Sequence, residues 1–258
     1  MLALAPPASG TAMPARTLVV EWLGTVPYAD AVELQRQLVH ARRAHHVADR
    51  LLLLEHPHVI TLGSSARGDH VLVDDAERAL LGIEIHDSGR GGDVTYHGPG
   101  QLVGYPILDL KPDRMDLHRY VRDIEEVLIR AIAPFGVVGG RRDGRTGVWV
   151  GNRKIAAIGV RVSSGWITSH GFALNVDTDL RFFDAIVPCG IRDGGVTSLG
   201  ECVAGGVPME SVCDTVAARF ADVFGLRAEP VQRSVQGTSV VADSGVARHR
   251  SDEPLSSR

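Results

Sequence analysis

Two residues whose types would suffice for an activated thiol nucleophile stand out in this chain. They are Lys154, in Arg153-Lys154-Ile155-Ala156-Ala157-Ile158-Gly159, and Cys189, in Pro188-Cys189-Gly190. A free thiol of pKa near ~8.5 is only a few per cent thiolate at neutral pH. An ammonium that lowers this pKa by ~2 units makes thiolate dominant, about 2.7 kcal/mol of differential stabilisation. The chemistry such a pair suits is acyl transfer through a thioester. A third feature, Gly89 to Gln101, packs 5 glycines into 13 residues. Its backbone N–H groups can approach a ligand closely, and Arg90, Thr95, Tyr96 and His97 add donors. Amides there and beside Cys189 are available to an oxyanion.

Each feature also has a plainer reading. Gly and Pro cluster in ordinary turns. A lysine beside a hairpin is usually solvated, and a lone cysteine is usually a small core residue. On a strand, Lys154 shares a face with Ala156, Ile158, Val160 and Val162, so it either snorkels from the strand end or is partly desolvated. The glycine run is not a dinucleotide fingerprint: Gly98-x-Gly100 is followed by Gly104, one residue too late, and the run leads into a strand. Cys213 lies in a helical pattern and reads as packing, and Cys202 has no role assigned. His45-His46 and His56-x-His58 lack partners at metal spacing, so no metal and no cofactor are expected. His170, before Gly171, either lines a site or is structural. Arg141, Arg142, Arg145, Arg153, Lys154 and Arg161 outnumber the one acid, Asp143, in their segment; this suggests an acidic or phosphate-bearing partner, or a solvated hairpin surface.

The elements that must position these residues follow from periodicity. Helical spacing covers Asp30 to Asp49, Asp116 to Pro134 (Asp116 as N-cap, Gly136 as stop) and Pro208 to Phe224 (Gly225 as stop), with a shorter helix at Asp74 to Leu81. Strands are expected at Thr17–Trp22, Leu51–Leu54, Val59–Leu62, Ile83–Asp87, Leu102–Leu108, Val148–Val150, Ile155–Val162 and Phe172–Val176. Gly151-Asn152 suits a tight hairpin. Paired strands without strict βα alternation predict an α+β fold, a mixed or antiparallel sheet packed with helices.

The chain has 258 residues, 27 Lys+Arg against 31 Asp+Glu, 44% hydrophobic and 22% charged residues. These values fit a globular protein and argue against a nucleic-acid coating role. No apolar stretch approaches the ~20 residues of a membrane span. Three cysteines without a C-x-x-C pair fit a reduced, cytoplasmic setting. Residues 1–16 read as a flexible leader, with Met13 a candidate initiator. Residues 17–226 read as the catalytic domain and 227–258 as a disordered tail.

The runs RGGDVTYHGPGQ (Arg90–Gln101), GNRKIAAIGVRV (Gly151–Val162), HGFALNV (His170–Val176) and PCGI (Pro188–Ile191), preceded by LLLLEHPHVITLG (Leu51–Gly63), resemble the lipoyl(octanoyl) transferase family in type and order. The resemblance spans about Thr17 to Leu226. It implies the α+β fold of biotin and lipoate protein ligases. It implies octanoyl transfer from octanoyl-acyl carrier protein to a lysine of lipoyl domains of 2-oxo-acid dehydrogenase complexes or of glycine cleavage H protein. Cys189 matches the acyl-thioester cysteine and Lys154 the lysine that lowers its pKa. Arg90, Gly91, Gly92, Asp93, Val94, Thr95, Tyr96 and His97 match substrate-lining positions, as do Ala157-Ile158-Gly159 and Gly171-Phe172-Ala173. An ATP-dependent lipoate or biotin ligase of the same fold is the alternative; a cysteine hydrolase and a carrier-protein binding module are further ones.

Overall fold

The computed structural model describes residues 15–187 and 195–233. In chain order the elements are β1 (Thr17–Thr25), α1 (Tyr28–Arg43), β2 (Asp49–Glu55), β3 (Val59–Leu62), α2 (Asp75–Leu81), β4 (Glu84–Asp87), β5 (Val94–His97), β6 (Gln101–Ile107), α3 (Leu117–Ile132), β7 (Gly140–Arg142), β8 (Arg145–Val150), β9 (Arg153–Val162), β10 (Thr168–Asn175), α4 (Leu199–Cys202), α5 (Met209–Phe224), β11 (Arg227–Ala228) and β12 (Gln232–Arg233). The main sheet runs β11-β1-β2-β6-β10-β9-β8-β7, with β12 also paired to β1. β1 pairs parallel with β2, while β2, β6, β10, β9 and β8 are successively antiparallel, so the sheet is mixed. A second sheet has the order β4-β3-β5.

The four leucines of β2 show how the layers arise. Side chains alternate across a strand. Leu51 and Leu53 join a core with Tyr120, Ile124 and Leu128 of α3 and Val212, Val216 and Phe220 of α5. Leu52 and Leu54 join a second core with Ala31 and Leu38 of α1 on the opposite face. A strand buried on both faces reads as a continuous apolar run. α3 and α5 lie together on one face, where Phe220 and Phe224 stack at 4.4 Å. Asp116 caps α3 by accepting from Arg119 N, and Gly225 closes α5 at φ +65°. Asp74 and Glu77 form a capping box on α2.

The structure corrects several boundaries. α1 ends at Arg43, not Asp49. His45 adopts φ +59°, and the amides of His45 and His46 bond back to Arg42 O and Ala41 O, which satisfies the last carbonyls. Asp49 instead starts β2, where its carboxylate accepts from Arg42 Nε at 2.8 Å and Asp109 N at 3.0 Å. β10 starts at Thr168, four residues before the expected Phe172, because Thr168–Gly171 pair with Val162–Gly159. Arg227–Ala228 and Gln232–Arg233, assigned to the tail from sequence, extend the sheet beside β1.

Candidate active site

Lys154 stands near the start of β9 and is only 7% exposed. Its strand neighbour across the β8–β9 hairpin is Trp149, whose ring lies 5.0 Å from Lys154 Nζ, a favourable place for an ammonium. Gly147 makes the room. It holds φ +126°, and a Cβ there would fall 2.6 Å from Ala156 O and 3.3 Å from Lys154 Cε. The buried carboxylate of Glu125 fixes this stretch by accepting from Gly147 N at 3.0 Å. Lys154 is therefore an interior residue and not a solvated hairpin lysine.

The glycine run docks against the same strand. Gly91 N donates to Val160 O at 2.9 Å. The approach requires glycine at 159, where a Cβ would sit 2.9 Å from Arg90 Cδ and 3.0 Å from Gly91 O. Residues 63–65 back the run through Gly63 N to Asp93 O, Ser64 N to Arg90 O and Ser65 N to Gly92 O. Arg90 is turned inward, donating to Thr61 O at 2.8 Å and Thr61 Oγ1 at 2.9 Å, so its guanidinium braces the loop. Asp93 Oδ2 meets His70 Nδ1 at 2.6 Å.

Between loop and sheet lies a cavity of about 640 Å³, within the usual range for small-molecule sites. Arg90, Gly91, Gly92, Asp93, Thr95, His97, Lys154, Ala157, Ile158, Gly159, Gly171, Phe172 and Ala173 all line it. Val94 and Tyr96 do not. Val94–His97 is strand β5, so alternate side chains leave in opposite directions; Thr95 and His97 face the cavity, while Val94 and Tyr96 pack with Ile60, Phe183 and Ile186 under the small sheet. Sequence reading missed Tyr28, Tyr105, Leu117 and Val121, which also line the cavity. The last two sit one turn apart on α3, a spacing visible beforehand; the tyrosines carried no local signal.

Cys189 and the whole PCGI run lie outside the described residues. The chain on either side is fixed. Val187 N donates to His70 O at 2.8 Å. Lys154 N donates to Gly195 O at 2.9 Å and Thr197 N to Lys154 O at 3.0 Å. The backbone of Lys154 is thus bonded to the segment that follows Cys189 by six residues.

Three buried imidazoles lie in or beside the cavity wall: His97 and His170 line it, and His56 stands 5.7 Å from His97. Burial pushes His97 down to about 3, with His56 contributing, and His56 and His170 down to about 4; Arg90 and Arg161 add to the effect at His170. All three are neutral at pH 7. Their unfolded-state values near ~6.5 mean that the unfolded chain binds more protons than the folded one as pH falls, so stability rises with pH in that window. The cost is absent well above pH 6.5 and reaches on the order of 5 kcal/mol by pH 5. The urea midpoint is expected to drop steeply between pH 6.5 and 5, above the range where carboxylates protonate. A midpoint flat across that interval contradicts these assignments.

The basic segment is mostly paired internally. Arg141 meets Glu125 and Glu126 at 3.1 and 2.7 Å, Arg153 meets Glu201 at 2.5 Å, and Arg142 lies over the Trp149 ring at 5.2 Å. Besides Arg90 and Lys154, the cavity is lined by Arg122, paired with Glu125 at 2.7 Å, and by Arg145. Among the described residues no group of His, Cys, Asp and Glu could hold a metal ion, and no helix is long and apolar enough to cross a membrane.

Residues 27–221 match the lipoyl protein ligase A/B catalytic domain family. An octanoyltransferase of Rubrobacter xylanophilus is 55% identical over 204 residues, covering 78% of this chain and 91% of that protein. One from Gloeobacter violaceus is 56% identical over 216 residues, 83% and 93% of the two chains. Among solved structures, a lipoate-protein ligase A bound with ATP superposes with a TM-score of 0.64 at 18% identity, covering 87% of this chain and 90% of that one. The bipartite lipoate protein ligase of Thermoplasma acidophilum gives 0.63 at 17%, with 87% and 88% covered. These likenesses show the α+β fold expected from sequence.

Proposed function

The chain belongs to the lipoyl protein ligase A/B catalytic domain family, and on that premise we propose that it moves an octanoyl group from octanoyl-acyl carrier protein, through a thioester on Cys189, to a lysine of lipoyl domains. One observation carries the reading: a buried lysine lines the same cavity as the glycine loop, and its own backbone is bonded to the chain that follows Cys189. The acyl donor and the acyl-enzyme are both thioesters, so the first step needs no nucleotide. The Cys189 thiolate attacks the donor carbonyl, and Lys154 protonates the departing phosphopantetheine thiolate. An incoming lysine amine then attacks the enzyme thioester, and Lys154, now neutral, accepts the released proton. Burial of the octanoyl methylenes against Ile158, Val121 and Phe172 is worth on the order of 5 kcal/mol.

The acidic carrier protein would approach on the side of the cavity lined by Arg122 and Arg145. Glycine cleavage H protein is a second acceptor class. The catalytic unit is residues 17–226 together with the strands that extend the sheet to Arg233. The unpaired Cys202 and Cys213 fit action in the cytoplasm.

The fold is shared with an ATP-dependent ligase, which keeps one competing activity in play. Purified protein, octanoyl-carrier protein and a lipoyl domain are expected to yield octanoylated domain without ATP. Product formed only from free octanoate plus ATP, and surviving Cys189→Ser, would establish the ligase instead.

A further inference from the structure

A buried line of side-chain amides ends at His97, and its polarity is set from the far end. The Thr197 carbonyl only accepts, so Asn175 presents Nδ2 to it at 2.9 Å. Asn175 Oδ1 is thereby turned to Gln101 Nε2 at 2.9 Å, which also reaches the Tyr96 carbonyl at 3.3 Å. Gln101 Oε1 then faces His97 Nδ1 at 2.7 Å. An amide oxygen only accepts, so the imidazole carries its proton on Nδ1 and its lone pair on Nε2. Gln101, Asn175 and Thr197 are all buried, and His97 lines the cavity that Lys154 lines. The adjacent His56, 5.7 Å away ring to ring, is committed on both sides: Nδ1 donates to Val26 O at 2.6 Å and Nε2 accepts from the Tyr105 hydroxyl at 2.8 Å.

A lone pair in an acyl-transfer cavity has a restricted use. It repels a carbonyl oxygen or an oxyanion, and the donor thioester brings no proton on its reacting atoms. The attacking amine of the second half-reaction does bring N–H groups there. We propose that His97 Nε2 accepts a hydrogen bond from the acceptor lysine amine, with Gln101 and Asn175 as positioning residues that hold His97 in the required tautomer. This rests on the transfer reading above. The amine nitrogen forms the C–N bond and the C–S bond breaks. One amine proton passes through the Lys154 amine towards the departing sulfur. The proton held by His97 stays on nitrogen as the amide N–H. The bond aims the nitrogen lone pair at the carbonyl carbon. An imidazole held neutral by burial can do this without taking the proton.

The two half-reactions separate the claim from a structural role. Octanoyl-enzyme formation is followed by intact mass with octanoyl-carrier protein, and its discharge by adding a lipoyl domain. His97→Phe is expected to slow discharge ~30-fold or more, and to slow it at least ~10-fold more than it slows formation. His97→Gln, whose Oε1 stands near the Nε2 position, is expected to recover about tenfold of that loss. Gln101→Met removes the acceptor of Nδ1–H, so the tautomer is no longer fixed, and it is expected to slow discharge by about tenfold while formation changes less. Arg90, His56 and His170, whose charges act on His97, and Lys154 in the same cavity, are unchanged in that variant. Equal losses in both halves for His97→Phe, a loss confined to formation, or discharge unaffected in Gln101→Met overturns the inference. Absence of any octanoyl-enzyme with the unaltered protein overturns the transfer reading instead.

Discussion

Lys154→Met is expected to cut octanoyl-enzyme formation at pH 7 by at least ~25-fold and to recover by pH 9 the part of that loss that comes from thiol ionisation. The number follows from thiolate fraction. A thiol brought ~2 units below its ordinary value near ~8.5 is about three-quarters ionised at pH 7, whereas an unassisted one is about 3% ionised. Methionine keeps a flexible unbranched stem against Gly147 and Trp149, so packing beside the hairpin is largely retained and the charge is what is removed. Discharge to the acceptor is expected to fall further, by ~10²-fold, because proton transfer at the amine and at the leaving thiol is lost as well. The pH dependence is the discriminating part. A variant equally impaired at pH 7 and pH 9 shows that Lys154 supplies proton transfer or packing but not thiol ionisation. A variant with unimpaired turnover removes Lys154 from the mechanism.

Cys189→Ser is expected to reduce net transfer by ~10³-fold or more and to leave no thioester adduct. A hydroxyl is a weak nucleophile at its free pKa, and an ammonium worth ~2 units cannot ionise it. The cavity itself should survive, because its walls come from β5, β9, β10 and α3, and the chain flanking Cys189 is held at Val187 and Gly195. Binding of octanoate to the variant, read by calorimetry, is therefore expected to persist. Loss of binding together with activity would point to a structural role for the cysteine.

What the sequence made legible depends on where the governing interactions lie. α3, α5 and β2 are written locally: an N-cap aspartate, a helical apolar stripe, a closing glycine, four leucines serving two faces. The end of α1 was not, because Asp49 is drawn into the sheet by Arg42 and by the distant Asp109 amide. β5 was hidden inside a glycine-rich run, although Val-Thr-Tyr-His alternates more and less apolar residues as a half-buried strand does. Reading that alternation would have separated Thr95 and His97 from Val94 and Tyr96. β11 and β12 are two residues each and exist only through their pairing with β1. At the site, the motifs named the loop, the lysine strand and the β10 wall. The tyrosines Tyr28 and Tyr105 and the amide line from Thr197 to His97 join residues up to 100 positions apart, as Thr197 and His97 are, and no local pattern encodes such contacts.

The most direct measurement is intact-mass and peptide-level mass spectrometry of the protein after brief exposure to octanoyl-carrier protein with no acceptor present. The account predicts one octanoyl group, released by hydroxylamine, on the peptide containing Cys189, and its absence in Cys189→Ala. An adduct that persists in Cys189→Ala, or an unmodified protein that nonetheless transfers octanoate to a lipoyl domain, contradicts it.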